Sequence, residues 1–316
     1  MARFVVRRVI AMLAVLFAIS VITFAIFNVI PNGDPALRMA GRNATPQQLE
    51  TIRRQWGFDK PVPVQYAKTM QLVFTGELIS YTNQTNVVDE IVQGFPRTLA
   101  LAIGAALIWM FFAIALGLYT AVKAGRFADR FLTVIALVGI SMPVFWVGAL
   151  MNYYLGFKLG LFPNGGYVEF SDSPYGWLSH LMLPWAALSI LFIGVYSRIL
   201  RSNLLDTMSE DYVRTARAKG ISERQILLRH VLRNSMIPVV TLWGLDFGAV
   251  LGGGAILTET VFGLQGVGQY AAESISNLDV PPVLAITMFG AFFIVVLNTI
   301  VDVVYAALDP RIRLTS

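Results

Sequence analysis

The sequence predicts an all-helical integral membrane protein with six spanning helices and both chain termini on the cytoplasmic side. Its 316 residues are 56% hydrophobic and only 14% charged, with a mean hydropathy of +0.65, whereas a soluble domain carries roughly 25% charged residues. The basic residues are also sorted unevenly among the short loops. Because basic loops stay on the cytoplasmic side of a membrane, this pattern predicts orientation as well as topology.

Six apolar segments are close to the length of about 20 residues that crosses a hydrocarbon layer. They are Val9–Ile30, Leu99–Val122, Phe131–Leu155, Leu181–Leu200, Ile237–Leu257 and Val283–Leu308. The first segment follows Arg7 and Arg8, but it is too long for a signal peptide and lacks a clear cleavage site. We therefore interpret it as a retained first span.

The loop charges give the orientation. Eight Lys or Arg residues fall between Arg198 and Arg233, whereas none falls between Val261 and Pro282. The first of these segments is therefore predicted to be cytoplasmic and the second extracytoplasmic. Residues Arg311 and Arg313 follow the last span, which places the carboxyl terminus inside.

The chain divides into three predicted parts. Residues 1–30 form the cytoplasmic amino terminus and the first span, residues 31–96 form a folded extracytoplasmic loop, and residues 97–316 form the core with the other five spans. The long loop contains basic residues, but a segment of this length crosses largely regardless of charge. Within it, Thr45 followed by Pro46 and Gln48 predicts the start of a helix that ends before Gly57.

The cytoplasmic segment 201–236 is predicted to form a helix, a glycine corner and a second helix. The pattern Thr207–Glu210 fits a capping box at the start of the first helix, and Gly220 is a typical helix stop. A second start signal at Ser222 opens the next helix. That helix is predicted to place four apolar side chains on one face, namely Leu227, Leu228, Val231 and Leu232.

Two interpretations of this segment remain open. A basic, one-sided helix often lies at the lipid headgroups. Alternatively, it is a docking surface, because Ala216, Ala218 and Gly220 are small enough to allow close approach by another protein. Basic side chains on the same helix either pair with acidic groups of such a partner or are simply solvated.

Several motifs resemble those of the dipeptide and oligopeptide ABC importer permeases, and the resemblance covers nearly the whole chain. The motifs are Ile30–Ala36, Gly57–Pro61, Gln65-Tyr66, Tyr212–Gly220, Leu232–Pro238, Asp302 and Asp309–Arg313. Where the general importer motif begins Glu-Ala-Ala, this chain has Arg214-Thr215-Ala216, as is typical of the peptide permeases. The chain departs from the family at Gln265, where a proline before Gly266 is usual, and at Asp246, where relatives often have glutamine.

The resemblance implies a type I ABC importer permease fold in the bacterial inner membrane. It implies a second homologous permease, two cytoplasmic ATPase subunits that carry ATP and Mg²⁺, and an extracytoplasmic binding protein that delivers peptide. The chain has no Gly-x-x-x-x-Gly-Lys-Ser/Thr loop for nucleotide phosphates, so we expect no cofactor on this chain and no catalytic residue. The ATPase-coupling residues implied by the resemblance are Tyr212, Val213, Arg214, Thr215, Ala216, Arg217, Ala218, Lys219 and Gly220.

Ionisable residues inside spans are functional candidates, because a charge in hydrocarbon costs about 2.5–3.5 kcal/mol on insertion scales. Asp246 either lines the passage and attracts a peptide's amino terminus, or pairs with Arg198 or another polar group. We expect Glu259 at an outer gate and Asn152 along the pathway. Pro143 is predicted to kink the third span, as a hinge or a simple bend.

Span five carries Gly244, Gly248 and Gly252 at every fourth position. Such a stripe allows close helix packing in lipid, either within this subunit or against the partner permease.

Other functions fit the sequence less well. The chain has no cysteine, and its two histidines, His180 and His230, are assigned to opposite sides of the membrane, so no metal site is predicted. No nucleic-acid signature accompanies the charge of +5. An ion-coupled secondary transporter would need inverted repeats and more carboxylates. Within the importer class, nickel, glutathione, haem or another small solute remain alternatives to peptide.

Overall fold

The computed structural model of this chain describes residues 2–26, 36–37 and 45–308, and the side chains of residues 6–26, 36–37, 45–54 and 57–301. Both chain termini, most of the Ile30–Ala36 motif, the end of the first predicted span, the Asp302 side chain and the Asp309–Arg313 motif lie outside this part. The described chain is helical, and its one β-type pairing is an isolated bridge between Ile79 and Asn86.

The helices are numbered in chain order. They are α1 (Ala2–Phe24), α2 (Pro46–Trp56), α3 (Val62–Thr75), α4 (Val87–Val122), α5 (Phe127–Ser141), α6 (Val144–Met151, continued by a π-helical segment Asn152–Lys158), α7 (Pro174–Met208), α8 (Asp211–Ala218), α9 (Glu223–Gly254), α10 (Ile256–Phe262), α11 (Val267–Ser276) and α12 (Val280–Leu308). Helices α4 and α7 extend well beyond the apolar segments that predicted them.

Five helices of the described chain are long and apolar enough to cross a membrane, namely α1, α4, α7, α9 and α12. The pair α5 and α6 qualifies as a sixth crossing if it is counted as one broken span, with a bend of 98°. Pro143 explains the break, because it has no amide hydrogen and its extended backbone ends α5. Its carbonyl then accepts the first amides of α6, from Trp146 and Val147.

The first of two compact units comprises Met1–Thr98, Leu251–Ile256 and Gln265–Ser316. In this unit α12 packs against both α1 and α11. The Asp279 carboxylate accepts hydrogen bonds from the Ser80 hydroxyl and from the Tyr81 and Thr82 amides. These bonds fasten the turn before α4 to the turn before α12.

Two loop details in the first unit bear on the sequence predictions. The predicted helix start at Thr45 is confirmed, and the structure shows a capping box there, because the Thr45 hydroxyl accepts the Gln48 amide and the Gln48 side chain accepts the Thr45 amide. Gln265 has a φ of +55°. A proline could not adopt this left-handed conformation, because its ring fixes φ near −65°, so the family's usual proline would require a different loop shape here.

The second unit comprises Leu99–Val250 and Leu257–Leu264. Helix α7 is its centre and packs against α5, α6 and α9. Close packing depends on small residues: a Cβ added at Gly194 would lie 2.7 Å from the Ala136 carbonyl oxygen. Trp109 of α4 stacks on Phe192 of α7 with ring centroids 4.3 Å apart. The segment that carries most of the candidate site residues belongs to this unit.

Candidate functional site

Helix α8 has two distinct faces. The side chains of Val213 and Ala216 are buried, at 0% and 7% exposure. The exposed residues of the predicted coupling motif are Tyr212, Arg214, Thr215, Arg217, Ala218, Lys219 and Gly220. The motif therefore presents one uninterrupted solvent-facing surface and hides two apolar side chains against its own chain.

Helix α8 is fastened to the beginning of α9 at both of its ends. The Asn234 side chain donates a hydrogen bond of 2.8 Å to the Tyr212 hydroxyl. Arg217 forms an ion pair of 2.8 Å with Glu223. The turn between the helices is closed by Gly220, whose φ is +76°, a conformation that glycine adopts without strain. The predicted glycine corner is confirmed.

The last turns of α7 are tied to α9 by a polar cluster. The Ser235 hydroxyl lies 3.1 Å from the Asn203 carbonyl oxygen and 3.0 Å from the Thr207 hydroxyl. The side-chain amide of Asn203 also donates a hydrogen bond to the Ser235 carbonyl oxygen. The end of α7 and the first half of α9, which flank α8 in sequence, are therefore joined to each other.

Two local predictions for this segment were wrong, and one is confirmed. The helix start predicted at Ser222 is confirmed, because α9 begins at Glu223 with Ser222 as its N-cap residue, although the Ser222 side chain makes no capping hydrogen bond. Thr207 does not start a helix but lies in the last turn of α7, where its hydroxyl contacts Ser235. Leu228 is 45% exposed and does not join the buried face, which is formed by Ile226 and Val231 instead. The π-helical turn at Ile226–Val231 shifts the helix phase and accounts for this last error.

The small residues of the motif do not share one role. Ala216 faces inward, so it cannot be the contact surface that the sequence predicted for it. Ala218 and Gly220 are exposed and remain available for close approach. Among the basic residues, Arg217 is paired with Glu223, whereas Arg214 makes only a long contact of 3.5 Å with Asp211 between two exposed side chains. The side chains of both pairs are exposed, so each pair contributes little to stability.

Asp246 lies within α9, eight residues before Gly254, the last residue of that helix. The sequence predicted either Arg198 or another polar group as its partner, and the second prediction is confirmed. The Tyr196 hydroxyl donates a hydrogen bond of 2.6 Å to Asp246 Oδ2. Arg198 is exposed and does not contact it. Tyr196 itself is wholly buried, so the donor is held in one position by packing.

The other pathway candidates lie near the bend of the broken span. Pro143 stands at the break itself. Asn152 begins the π-helical segment, and its Oδ1 atom is buried. One turn earlier, Gly148 packs on Phe262 of α10, where an added Cβ would be 3.1 Å from the ring. Glu259, on α10, is completely buried.

The glycine stripe of α9 packs within the chain. Gly244 and Gly248 are buried. Gly252 meets α12, because a Cβ added there would be 2.5 Å from the Ile294 side chain and 2.9 Å from the Gly290 carbonyl oxygen. At Gly252, at least, the small residue serves a close helix contact inside this subunit.

One ion pair of the structure was not predicted from the sequence. Arg201 of α7 contacts Asp129 of α5 with both ends of its guanidinium group, at 2.7 and 2.8 Å. The Asp129 side chain is 4% exposed, and its second oxygen also accepts the Gly125 amide. The available signal was an acidic residue near the start of a predicted span that had no assigned role.

Within the described residues, no group of three or more His, Cys, Asp or Glu side chains is arranged to hold a metal ion.

Comparison with known proteins places the chain in a family. Residues 113–314 match the family described as binding-protein-dependent transport system inner membrane component, and residues 1–102 match the corresponding N-terminal family. The chain belongs to this family and is a permease of a binding-protein-dependent ABC importer. Members of this class are membrane transport components and not enzymes.

Two relatives of similar length support this assignment. A protein of Brucella abortus (strain 2308), named as a peptide transport system permease, is 35% identical over 314 residues, with 99% of each chain covered. The glutathione transport system permease protein GsiC of Escherichia coli (strain K12) is 38% identical over 315 residues, again with 99% of each chain covered.

Among solved structures, the fold is similar to a chain of the MetNI methionine ABC transporter in an inward-facing conformation. The TM-score is 0.55 at 17% sequence identity, and the match covers 70% of this chain and 96% of that chain. This similarity concerns the fold alone.

Proposed function

We propose that this chain forms half of the pathway through which an ATP-driven importer moves dipeptides or oligopeptides across the bacterial inner membrane. A second homologous permease forms the other half, and an extracytoplasmic binding protein delivers the cargo. Two cytoplasmic ATPase subunits hold ATP and Mg²⁺, while this chain holds neither. The names of the relatives support a peptide cargo, since one is a peptide permease and glutathione is itself a tripeptide.

In the proposed topology the chain crosses the membrane six times, with α5 and α6 as one broken crossing. Both termini and segment 201–236 are cytoplasmic, and residues 31–96 form a folded extracytoplasmic loop. The charge distribution supports this orientation, because basic residues are dense in segment 201–236 and absent between Val261 and Pro282.

The main support for this proposal is the way in which α8 is attached to the rest of the chain. Its exposed face is free to dock into an ATPase subunit, while the buried side chains of Val213 and Ala216 hold it against its own chain and two exposed polar contacts to α9 orient it. When the ATPases close on ATP, they push α8, and the displacement passes to α7 and α9 together. The pathway then opens outward, and ATP hydrolysis returns it to the inward-facing state.

Other residues have proposed roles in the same cycle. The break at Pro143 allows the two halves of the third crossing to reorient. Glu259 and Asn152 line or gate the pathway, and Gly244 and Gly248 allow close packing of α9 within this subunit, where both are buried.

Replacement of Ala218 by tryptophan tests the docking surface. Ala218 is exposed, so the larger side chain leaves the fold intact and obstructs only a partner. We expect ATP-driven uptake in proteoliposomes to fall about tenfold or more, since an obstructive side chain at a packed contact costs more than about 1.4 kcal/mol. Ala218→Ser, which adds one atom, is the matched control and should keep most of the uptake.

Co-purification of the ATPase subunits and the midpoint of thermal unfolding complete this test. The tryptophan variant should lose the ATPases at an unchanged unfolding midpoint. Full uptake with the ATPases retained would show that α8 is not the docking surface. Uptake by the wild-type protein that follows a proton gradient and ignores ATP would instead establish a secondary transporter.

A further inference from the structure

We infer that Asp246 is a cation-recognition point inside the translocation pathway, where it receives the positively charged amino group of the passing cargo. The inference rests on the proposed function and adds to it a residue that acts on the cargo and the chemical group that it recognises.

Asp246 and its hydrogen-bond partner Tyr196 lie far from the ends of their helices. Asp246 is about 12 Å of helix away from the end of α9 at Gly254, and Tyr196 is about 18 Å from the end of α7 at Met208. Both residues therefore lie in the interior of helices that are long enough to span the membrane. A carboxylate at this depth is costly unless it meets a cation or water.

The Asp246 carboxylate has no cationic partner among the described residues. Among the described residues, no Lys, Arg or His lies within 4 Å of the Asp246 carboxylate, and its hydrogen bond comes from the neutral Tyr196 hydroxyl. One neutral donor orients a carboxylate but does not balance its charge. Tyr196 is fixed by a buried aromatic cluster with Trp109 and Phe192, so it holds one oxygen in place and leaves the other available.

Asp246 lies on a side of α9 that the rest of this chain leaves uncovered. Leu242, Asp246 and Ala249 follow one another at helical spacing, so they share one side of α9. Leu242 and Ala249 are exposed and Asp246 is partly exposed, which means that this chain does not cover the stripe. Lipid against a carboxylate would be unfavourable. A water-filled pathway fits the stripe, and its natural cationic ligand is a protonated amine.

Single-cysteine labelling tests this inference directly, because the chain has no cysteine of its own. We would place the only cysteine by Ala249→Cys, one turn from Asp246, in the assembled transporter. The rate of its modification by a trimethylammonium methanethiosulfonate is compared with the rate for the sulfonate analogue. The Asp246→Asn change should lower the cation-to-anion rate ratio about tenfold, as expected for loss of a unit charge a few ångströms away.

Uptake of trialanine with a free amino group is measured for the same Asp246 variants in proteins that lack the introduced cysteine. Asp246→Asn should reduce uptake about tenfold while the binding-protein-stimulated ATPase activity is retained. Tyr196→Phe keeps the carboxylate and loses only its orienting donor, so its loss of uptake should be smaller, about threefold.

Each outcome decides the question. No labelling of the introduced cysteine by either reagent would show that the stripe does not face the pathway. A rate ratio unchanged by Asp246→Asn would show that the charge is already balanced, for example by a basic residue of the partner permease. Failure of the proposed function has a separate signature, since the wild-type transporter would then show no ATP-driven uptake at all.

Discussion

Two aspartates on the apolar helices are partnered in opposite ways. Asp129 is almost completely buried and is matched by both ends of the Arg201 guanidinium group. Asp246 is partly exposed and receives one hydrogen bond from a neutral tyrosine. A carboxylate whose charge is balanced within its own chain can serve as a structural fastener between α5 and α7. A carboxylate whose charge is left unbalanced has the means to act on something that passes.

The largest expected effect comes from breaking the balanced pair. Asp129→Asn leaves the Arg201 charge without a partner, and breaking such a buried pair costs about 3 kcal/mol or more. We expect the purified transporter to unfold several degrees lower. The exchange variant, with Asp129→Arg and Arg201→Asp together, should recover part of the loss. An unfolding midpoint unchanged by Asp129→Asn would mean that the pair is not a fastener.

A smaller effect is expected from Arg201→Lys. Lysine keeps the positive charge but cannot make two parallel bonds to one carboxylate. The loss of one charge-assisted hydrogen bond is worth about 1.5 kcal/mol, so the unfolding midpoint should lie between those of the wild-type protein and Asp129→Asn. If it equals that of Asp129→Asn, bidentate geometry rather than charge dominates the pair.

The smallest change in stability is expected from Asp246→Asn. The asparagine side chain keeps an oxygen that accepts the Tyr196 hydrogen bond, and no ion pair is lost. Removal of a charge from the membrane interior offsets the weaker bond, so the net change should stay within about 1 kcal/mol. A destabilisation as large as that of Asp129→Asn would reveal a cationic partner outside the described residues and would abolish the contrast between the two sites.

Much of the architecture was predictable, because long apolar segments must cross lipid as helices whatever their neighbours are. The glycine corner at Gly220, the helix start at Thr45 and the break at Pro143 were predictable for a similar reason. Each depends on backbone geometry that one residue type imposes locally.

The errors share a different cause. Thr207 was assigned to a helix start because its local pattern fits a capping box, but its hydroxyl contacts Ser235, which is distant in sequence. An ideal helix would place Leu228 on one face with Val231, whereas the π-helical turn rotates Leu228 outward. The inward direction of Ala216 likewise depends on which side of α8 meets α9.

The sequence by itself determined the helical class, the position of most spans and the helix-corner-helix segment, because these follow from hydropathy, helix periodicity and single-residue backbone preferences. Only the tertiary structure decided how each aspartate is partnered and which face of α8 remains exposed. The partners of Asp129 and Asp246 lie 72 and 50 residues away along the chain. Such pairings are set by the packing of whole helices, and no local pattern of residues encodes them.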